Sequence, residues 1–231
     1  MRITRIFLNQ ELVPNKSIIL DESSSKHLSV LKLKEDEEIE LFNSLGFSVS
    51  AKIIKADKRK FEVKTCSDLN KDKEKKIRIN LGIAEIKNFD KVLNESTQLG
   101  VDKIFCLNTD RSKFNKTPSE HKKKRWDSVI NSACEQSGNN WKPEFEVSSL
   151  TNWIININSK KKYFLDPLGE LNIREIKDFK EIFFAIGPEG GFSNNEKEMF
   201  FDNGFQSVSM GNLILKTETT PTVLLSMLRV L

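Results

Sequence analysis

One short turn that contains three glycines is the first candidate for a functional site in this chain. The stretch "AIGPEGGFSNNE" (185–196) runs from an apolar segment through Gly187, Gly190 and Gly191 into the start of a helix. Because glycine has no β-carbon, backbone amides in such a turn can approach a ligand closely or adopt positive φ. The spacing matches neither a dinucleotide fingerprint nor a P-loop, so it predicts another kind of ligand or a purely structural turn.

A second candidate is the loop "SMGNLILKTETT" (209–220), which precedes an apolar final segment. A connection of about twelve residues is long for an α/β unit, and long loops of this kind are often functional. The loop places an apolar run, 213–215, beside Lys216 and Glu218. This combination of apolar and charged residues predicts a segment that binds a partly apolar ligand.

A third candidate is Glu135 in "ACEQSG" (133–138), which falls in the last turn of a predicted helix. The helix macrodipole disfavours an anion there by about 0.3 to 1 kcal/mol. The placement indicates a role other than helix stability, with a tolerated surface glutamate as the alternative.

The elements around these candidates fall into two groups. Residues 1–68 contain short alternating β-type segments and predict a compact barrel with "NSLG" as a hairpin turn. One short helix there should place Leu28, Leu31 and Val30 inward. The charged stretch 67–76 predicts a linker.

After residue 76 the pattern alternates between strands and helices, which predicts an α/β domain with a mainly parallel sheet. The predicted strands cover 77–84, 102–107, 161–167 and 181–186, with a further strand ending near Val208. The predicted helices cover 89–100, 117–138 with Thr117 as N-cap, 194–203 with a Ser193/Glu196 capping box, and a final helix with Thr220 as N-cap. The glycine turn would lie at the carboxyl end of a strand, where ligands of open α/β sheets bind.

Composition narrows the functional class. A net charge of +4 favours a polyanionic partner such as nucleic acid, although it also suits an ordinary solvated surface. The chain has no apolar run near the ~18 residues of a membrane span, and "MRITRIFLNQ" lacks a signal-peptide core, so we expect a cytoplasmic protein. Three well-separated cysteines and two histidines predict reduced thiols and no metal site.

The motifs "HLSVLKLK", "TDRS", "RWDSVINSACEQSG", "IGPEGGFS" and "LKTET" occur in this order along the chain. Together they resemble the RsmE-type family of bacterial ribosomal RNA methyltransferases. The resemblance implies methylation of N3 of one uridine in small-subunit (16S) ribosomal RNA, with S-adenosyl-L-methionine as methyl donor. It also implies a PUA-like β-barrel at 1–70 and a SPOUT α/β domain at 71–231 that ends in a trefoil knot.

The resemblance further implies a set of site residues. The expected cofactor-binding residues are Leu165, Gly187, Pro188, Glu189, Gly190, Gly191, Met210, Gly211, Leu213, Ile214, Leu215 and Thr217. The expected RNA-binding residues are Arg2, Arg5, Phe7, His27, Lys32, Arg111 and Gln136. The expected partners are small-subunit ribosomal RNA, within the assembled 30S subunit, and a second copy of the chain, with no metal and no membrane.

The catalytic residues expected from the resemblance are Lys216, Glu218 and Glu135. Lys216 would hold the base or stabilise the developing uracil anion. Glu218 would orient Lys216 or accept the N3 proton, and Glu135 would lie near the same pocket.

The chain departs from the family pattern at Lys32, Leu213, Asn139 and Glu95. One alternative is therefore a catalytically weak or inactive RNA-binding protein of the same fold. Another is an unrelated α/β protein that binds an anion at the glycine turn.

Overall fold

The chain divides into two compact units. The computed structural model describes residues 3–57, 60–112 and 118–229. The first unit comprises Met1–Glu74 and Asn131–Lys142, and the second comprises Lys75–Ile130 and Pro143–Leu231. Across the described ranges, every helix is too short or too polar to cross a membrane.

The first unit is built on one six-stranded sheet. Its elements are β1 (Thr4–Phe7), β2 (Ser17–Ile19), α1 (Glu22–Val30), β3 (Glu38–Phe42), β4 (Phe47–Asp57), β5 (Lys60–Thr65) and β6 (Asn70–Lys71). The sheet order is β1-β3-β4-β5-β2, with β6 paired to β4. The first pair, β1 with β3, is parallel, and the other pairs are antiparallel. The predicted β-type segments and the hairpin turn "NSLG" between β3 and β4 are confirmed. The linker prediction for 67–76 is wrong at β6, which extends the sheet.

The core of the first unit forms between α1 and the sheet. Ile39 and Val63 alternate with more exposed neighbours and are fully buried, as are Leu41 and Leu28 of α1. The inward orientation predicted for Leu28 is correct. It is wrong for Val30 and Leu31, which are 73% and 48% exposed. Val30 lies two positions beyond Leu28 and so faces the other side of the helix, and Leu31 follows the helix as its C-cap.

The second unit is built on a seven-stranded sheet. Its strands are β7 (Arg78–Ala84), β8 (Lys103–Asn108), β9 (Glu144–Ser149), β10 (Lys162–Leu165), β11 (Leu171–Asn172), β12 (Glu181–Ile186) and β13 (Gln206–Ser209). Its helices are α2 (Phe89–Gln98), α3 (Glu120–Ser137), α4 (Leu150–Asn156), the short 3-10 helix Ile173–Glu175, α5 (Asn194–Asp202) and α6 (Thr220–Leu228). The last residues of α3, from Asn131 on, belong to the first unit.

The strand order of this sheet is β11-β13-β10-β12-β7-β8-β9, and all of its described pairings are parallel. The predicted mainly parallel α/β architecture is therefore confirmed. Besides the two-residue strand β11 and the short 3-10 helix, two elements were not predicted: β9, a largely exposed edge strand, and α4, which has only seven residues. Neither carries a long hydrophobic period, which is the main sequence signal for an element.

The predicted N-caps of two helices differ in outcome. Thr220 is wrong as the N-cap of α6, because Thr219 occupies that position and Thr220 is the first helical residue. The Thr220 hydroxyl instead donates to the carbonyl of Lys216 at 2.9 Å. Thr117, the predicted N-cap of α3, lies outside the described residues.

Aromatic side chains fill one side of the parallel sheet. The rings of Phe164 and Phe200 stack with centroids 4.7 Å apart, and Trp153 packs against Phe205 at 5.7 Å. Trp153 also covers Gly82 of β7, where a β-carbon would lie 2.7 Å from the indole ring. Gly82 is thus required by the close approach of a tryptophan to the sheet.

Replacing Gly82 with alanine should destabilise the protein. The added methyl group would meet Leu107 and Trp153, each at 2.7 Å, in a tightly packed core. Overpacking of this kind costs about 1 to 3 kcal/mol. Urea-induced unfolding of Gly82→Ala measures the loss.

The matched control for this measurement is Gly190→Ala. A β-carbon at Gly190 would lie 3.5 Å from the nearest side-chain atoms, which is ordinary contact. Its free energy of unfolding should stay within about 0.5 kcal/mol of the wild type. Equal losses for the two variants would contradict the packing explanation.

Candidate functional site

A cavity opens at the carboxyl ends of three neighbouring strands of the second unit. Because β10 pairs in parallel with both β12 and β13, the loops that follow these strands leave the same edge of the sheet. These loops and their neighbours line a cavity of about 730 Å³. That volume is typical of sites for small molecules and cofactors, about 300 to 1,000 Å³.

The predicted cofactor-binding residues come together at this cavity. The lining includes Leu165, Gly187, Pro188, Glu189, Gly190, Gly191, Met210, Gly211, Leu213, Ile214, Leu215 and Thr217. Two of the predicted catalytic residues, Lys216 and Glu218, also line it. The structure thus collects in one place residues that are more than forty positions apart in the chain.

The glycine turn forms one wall. Gly191 has φ +69°, a left-handed conformation that favours glycine, and its N–H donates to the carbonyl of Pro188 at 2.8 Å. The turn leads into α5 through the predicted capping box, which is confirmed. The Ser193 hydroxyl accepts from the N–H of Glu196 at 3.2 Å, and the Glu196 carboxylate accepts from the N–H of Ser193 at 2.8 Å.

The loop before α6 forms a second wall. Leu213 and Ile214 are each 83% exposed, so this apolar run is available to a ligand or a partner. The carbonyl of Lys216 accepts hydrogen bonds from the N–H groups of Thr219 at 2.9 Å and Thr220 at 3.0 Å. The backbone at Lys216 is therefore fixed, while its side chain is exposed at the cavity.

An ion pair at the cavity was missed by sequence reasoning. The ammonium group of Lys197 lies 2.5 Å from a carboxylate oxygen of Asp166, and both residues line the cavity. Burial acts to raise the pKa of Asp166, but hydrogen bonds from Lys197 and from the N–H of Leu168 outweigh it and hold that pKa below its usual value. An Asp-Pro pair directly after an apolar strand was a usable signal for Asp166, whereas no local pattern marked Lys197.

Arg111 lies at the cavity as well. Sequence analysis assigned it to RNA binding, and the structure places its guanidinium on the glycine turn, where it donates to the carbonyl of Gly190 at 2.8 Å. Its position in the loop after β8, far from the turn in sequence, gave no signal for this contact.

Arg5 lies in the first unit, and each of its three guanidinium nitrogens donates a hydrogen bond. It donates to Glu40 at 2.7 Å and to the carbonyl of Cys134 at 3.0 Å, and it also bonds the side chain of Asn140. The guanidinium further covers the ring of Phe42 at 4.3 Å. These contacts favour a structural role for Arg5 over the predicted phosphate contact.

Glu135, the third predicted catalytic residue, also lies in the first unit and is not among the residues that line the cavity. Its carboxylate accepts a hydrogen bond from the N–H of Phe7 at 3.2 Å, which joins the end of α3 to β1. Burial raises the pKa of Glu135, and the Phe7 N–H and the charges of His27 and Arg5 only partly offset this.

Three of the remaining RNA-binding candidates are exposed. His27, Lys32 and Gln136 are exposed in the first unit, and Lys32 has a left-handed φ of +59°. Arg2 lies outside the described residues. Within the part of the chain that the structure describes, no cluster of three or more His, Cys, Asp or Glu side chains is arranged to hold a metal ion.

Fold and site together define a class of protein: an α/β unit with a loop-lined cavity for a cofactor, joined in one chain to a small β unit. A family model for the RNA methyltransferase domain matches residues 71–229, and a model for the RNA methyltransferase PUA domain matches residues 20–66. Because the first match covers well over half of the chain, the chain belongs to the RNA methyltransferase family. These matches confirm the expected fold class and the resemblance, while the trefoil knot and a domain boundary near residue 70 stay predictions.

Named relatives agree with this assignment. The chain is 29% identical to "Ribosomal RNA small subunit methyltransferase E" of Buchnera aphidicola over 99% of this chain and 93% of that protein. It is 29% identical to the protein of the same name from Rickettsia conorii over 100% and 97% of the two chains.

Solved structures are similar over almost the whole length. Lpg2936 from Legionella pneumophila, solved with the cofactor SAM, has a TM-score of 0.92 at 29% identity and covers 100% of this chain and 98% of that chain. Ribosomal RNA small subunit methyltransferase E from Neisseria gonorrhoeae, bound to S-adenosyl methionine, has a TM-score of 0.91 at 26% identity and covers 99% and 98%.

The raised pKa of Glu135 gives a pH-dependent prediction. A carboxyl with a raised folded-state pKa contributes stability that is complete below its unfolded pKa and is lost as the pH rises through the folded value. The variant Glu135→Gln keeps an acceptor for the Phe7 N–H and has no charge to bury. We expect it to melt above the wild type at pH 7, with a difference that shrinks towards pH 4.

Differential scanning calorimetry at both pH values measures this difference. The control is Glu11→Gln, at an exposed position of the same unit, which should melt like the wild type throughout. A lower melting temperature of Glu135→Gln at pH 7 would show that the ionised carboxylate stabilises the fold.

Proposed function

We propose that this protein transfers a methyl group from S-adenosyl-L-methionine to N3 of a uridine in small-subunit (16S) ribosomal RNA. The observation that carries the proposal is the cavity at the carboxyl ends of β10, β12 and β13, with Lys216 and Glu218 at its wall. Membership in the RNA methyltransferase family supplies the reaction class. The names of the relatives supply the substrate.

The residues at the cavity fit this cofactor. Its volume of about 730 Å³ suits an adenosyl compound, and Leu165, Leu213 and Leu215 offer apolar surface for an adenine ring. A β-carbon at Gly191 or Gly211 would meet no atom within 4 Å, so the backbone at both positions is open to close approach. Similar chains with TM-scores of 0.92 and 0.91 were solved with this cofactor.

When bound, S-adenosyl-L-methionine supplies an activated methyl group on its sulfonium. The protein must then place uracil N3 in line with that methyl group and remove the N3 proton. Because the uracil ring gains negative charge as this proton leaves, a cation held beside it lowers the barrier. Lys216 is suited to this role, since its backbone is fixed by hydrogen bonds and the residue is exposed and lines the cavity.

Glu218 has one of two roles. Its half-buried carboxylate either orients the Lys216 ammonium group or accepts the proton from N3. In the first case the N3 proton would pass to solvent and in the second to Glu218. In both cases the bound methyl donor would supply its methyl group to N3 and be left as S-adenosyl-L-homocysteine. Glu135 is a weaker candidate for this chemistry because its carboxylate is engaged by the N–H of Phe7.

The wider assembly is part of the proposal. The first unit would bind ribosomal RNA within the assembled 30S subunit, in the cytoplasm. Two copies of the chain would pair through the knotted region, which suits the largely apolar α6 and the exposed Leu213 and Ile214. Light scattering should then give twice the mass of one chain.

The alternatives have less support. An inactive RNA-binding protein of the same fold is not favoured by relatives that carry the methyltransferase name over nearly the whole chain. An unrelated anion-binding protein is not compatible with the family match over residues 71–229.

The reaction itself is the main test. We expect labelled S-adenosyl-L-methionine to methylate small ribosomal subunits that lack the modification, and mass spectrometry should identify the product nucleoside as N3-methyluridine. Another methylated nucleoside would contradict the assigned target atom. No transfer, in a preparation that binds the cofactor, would favour the inactive alternative.

Lys216→Ala tests the catalytic cation. Loss of a group that stabilises charge in the transition state lowers kcat by about 10² to 10³, while the Kd of the cofactor should change little. The control is Lys180→Ala, at an exposed position before the amino end of β12, which should keep wild-type kcat. If Lys216→Ala and the wild type had equal rate constants in single-turnover kinetics, the catalytic cation would lie elsewhere.

A further inference from the structure

The glycine turn is held by a second loop that neither the capping box nor the proposed chemistry requires. Residues 109–112 follow β8 and carry Asp110, whose carboxylate accepts a hydrogen bond from the hydroxyl of Ser193 at 2.6 Å. The next residue, Arg111, donates to the carbonyl of Gly190 at 2.8 Å. We call Asp110, Arg111, Gly190, Ser193 and Glu196 the clasp.

Glu196 is the centre of the clasp. It is only 4% exposed, and its two carboxylate oxygens accept from backbone groups of two different loops. One oxygen accepts a hydrogen bond from the N–H of Asp110 at 2.8 Å, and the other accepts one from the N–H of Ser193 at 2.8 Å. A buried carboxylate is stable only when such donors satisfy it, so the two loops must keep their relative positions.

The far end of the loop is also fixed. The hydroxyl of Ser112 donates to the carbonyl of Glu85 at 2.9 Å, at the carboxyl end of β7. The loop is therefore anchored to the sheet on one side and to the glycine turn on the other. The loop thus connects the strand ends to the cavity wall.

Asp110 can be changed without removing either member of the capping box of α5. The capping box of α5 needs only Ser193 and Glu196, which are three residues apart. Asp110 lies 83 positions from Ser193 and is not a member of the capping box, although its carboxylate accepts from the capping hydroxyl. Its carboxylate is exposed with its residue, so removing it creates no cavity in the core.

We propose that Asp110 and Glu196 are positioning residues that hold the glycine turn, 187–191, in the conformation that binds the methyl donor. The inference rests on the proposed function, because it assigns the clasp to the same cavity. Asp110 and Glu196 act through the turn, and only Arg111 and Gly190 of the clasp line the cavity.

Asp110→Ala is the sharpest test. We expect the Kd of S-adenosyl-L-methionine, measured by calorimetry, to rise about tenfold, which corresponds to about 1.4 kcal/mol. The melting temperature should stay close to the wild-type value. Asp110→Asn keeps an oxygen that can accept from Ser193 and should restore a Kd near wild type. Asp202→Ala, at an exposed position of α5, is the matched control and should not change the Kd.

Glu196→Gln gives an independent variant. Its amide keeps one acceptor oxygen and presents an N–H₂ group to the other backbone N–H, so we expect a larger loss of affinity than for Asp110→Ala. Glu198→Gln, two positions later on the same helix and exposed, is its control. A changed melting temperature with an unchanged Kd in both clasp variants would assign the clasp to stability alone and overturn the proposal.

Hydrogen exchange separates this proposal from the proposed function. Without any methyl donor, the amides of 187–193 should exchange faster in Asp110→Ala than in the wild type and in Asp202→Ala. If the wild type did not bind S-adenosyl-L-methionine, the proposed function would fail and the positioning role would fail with it, while the exchange result would still show whether the clasp orders the turn. Wild-type binding with unchanged Kd or unchanged exchange in Asp110→Ala would overturn the positioning role alone.

Discussion

The parallel pairing of β10 with both β12 and β13 is the constraint on which the site depends. It forces three loops, which start near positions 165, 186 and 209, to leave the sheet side by side. No single loop could enclose a ligand, but together they form a cavity of cofactor size. The stacked rings of Phe164 and Phe200 fix β10 against α5, and so hold the glycine turn in register with the strand ends.

Local patterns in the sequence were enough to predict most of the helices and strands. The capping box at Ser193, five of the seven strands of the parallel sheet and the glycine turn each depend on neighbours within a few residues, so their sequence signals were direct. The residues expected to bind the cofactor came from the resemblance, and they line one cavity. Contacts between distant segments had no such signal: the ion pair of Asp166 with Lys197 joins residues that no period or motif relates.

Sequence patterns also do not show whether a charged side chain is available to a ligand or is already hydrogen-bonded within the protein. Arg5 looked like a phosphate ligand, yet its guanidinium is taken up within the first unit. Two departures from the family pattern have similar local explanations. Asn139 accepts from the N–H of Trp141 at 3.0 Å, and Glu95 accepts from the hydroxyl of Thr222 at 2.5 Å, which joins α2 to α6. Both side chains therefore make contacts within the fold.

The central claim is that the loops after β10, β12 and β13 form the methyl-donor site. A crystal structure of the protein with S-adenosyl-L-methionine tests it most directly. We predict that the adenosyl group lies between 165–167, 187–191 and 210–217, with the sulfonium methyl group accessible from the side of Lys216. Cofactor bound away from these loops, or a methyl group turned away from Lys216 and Glu218, would contradict it.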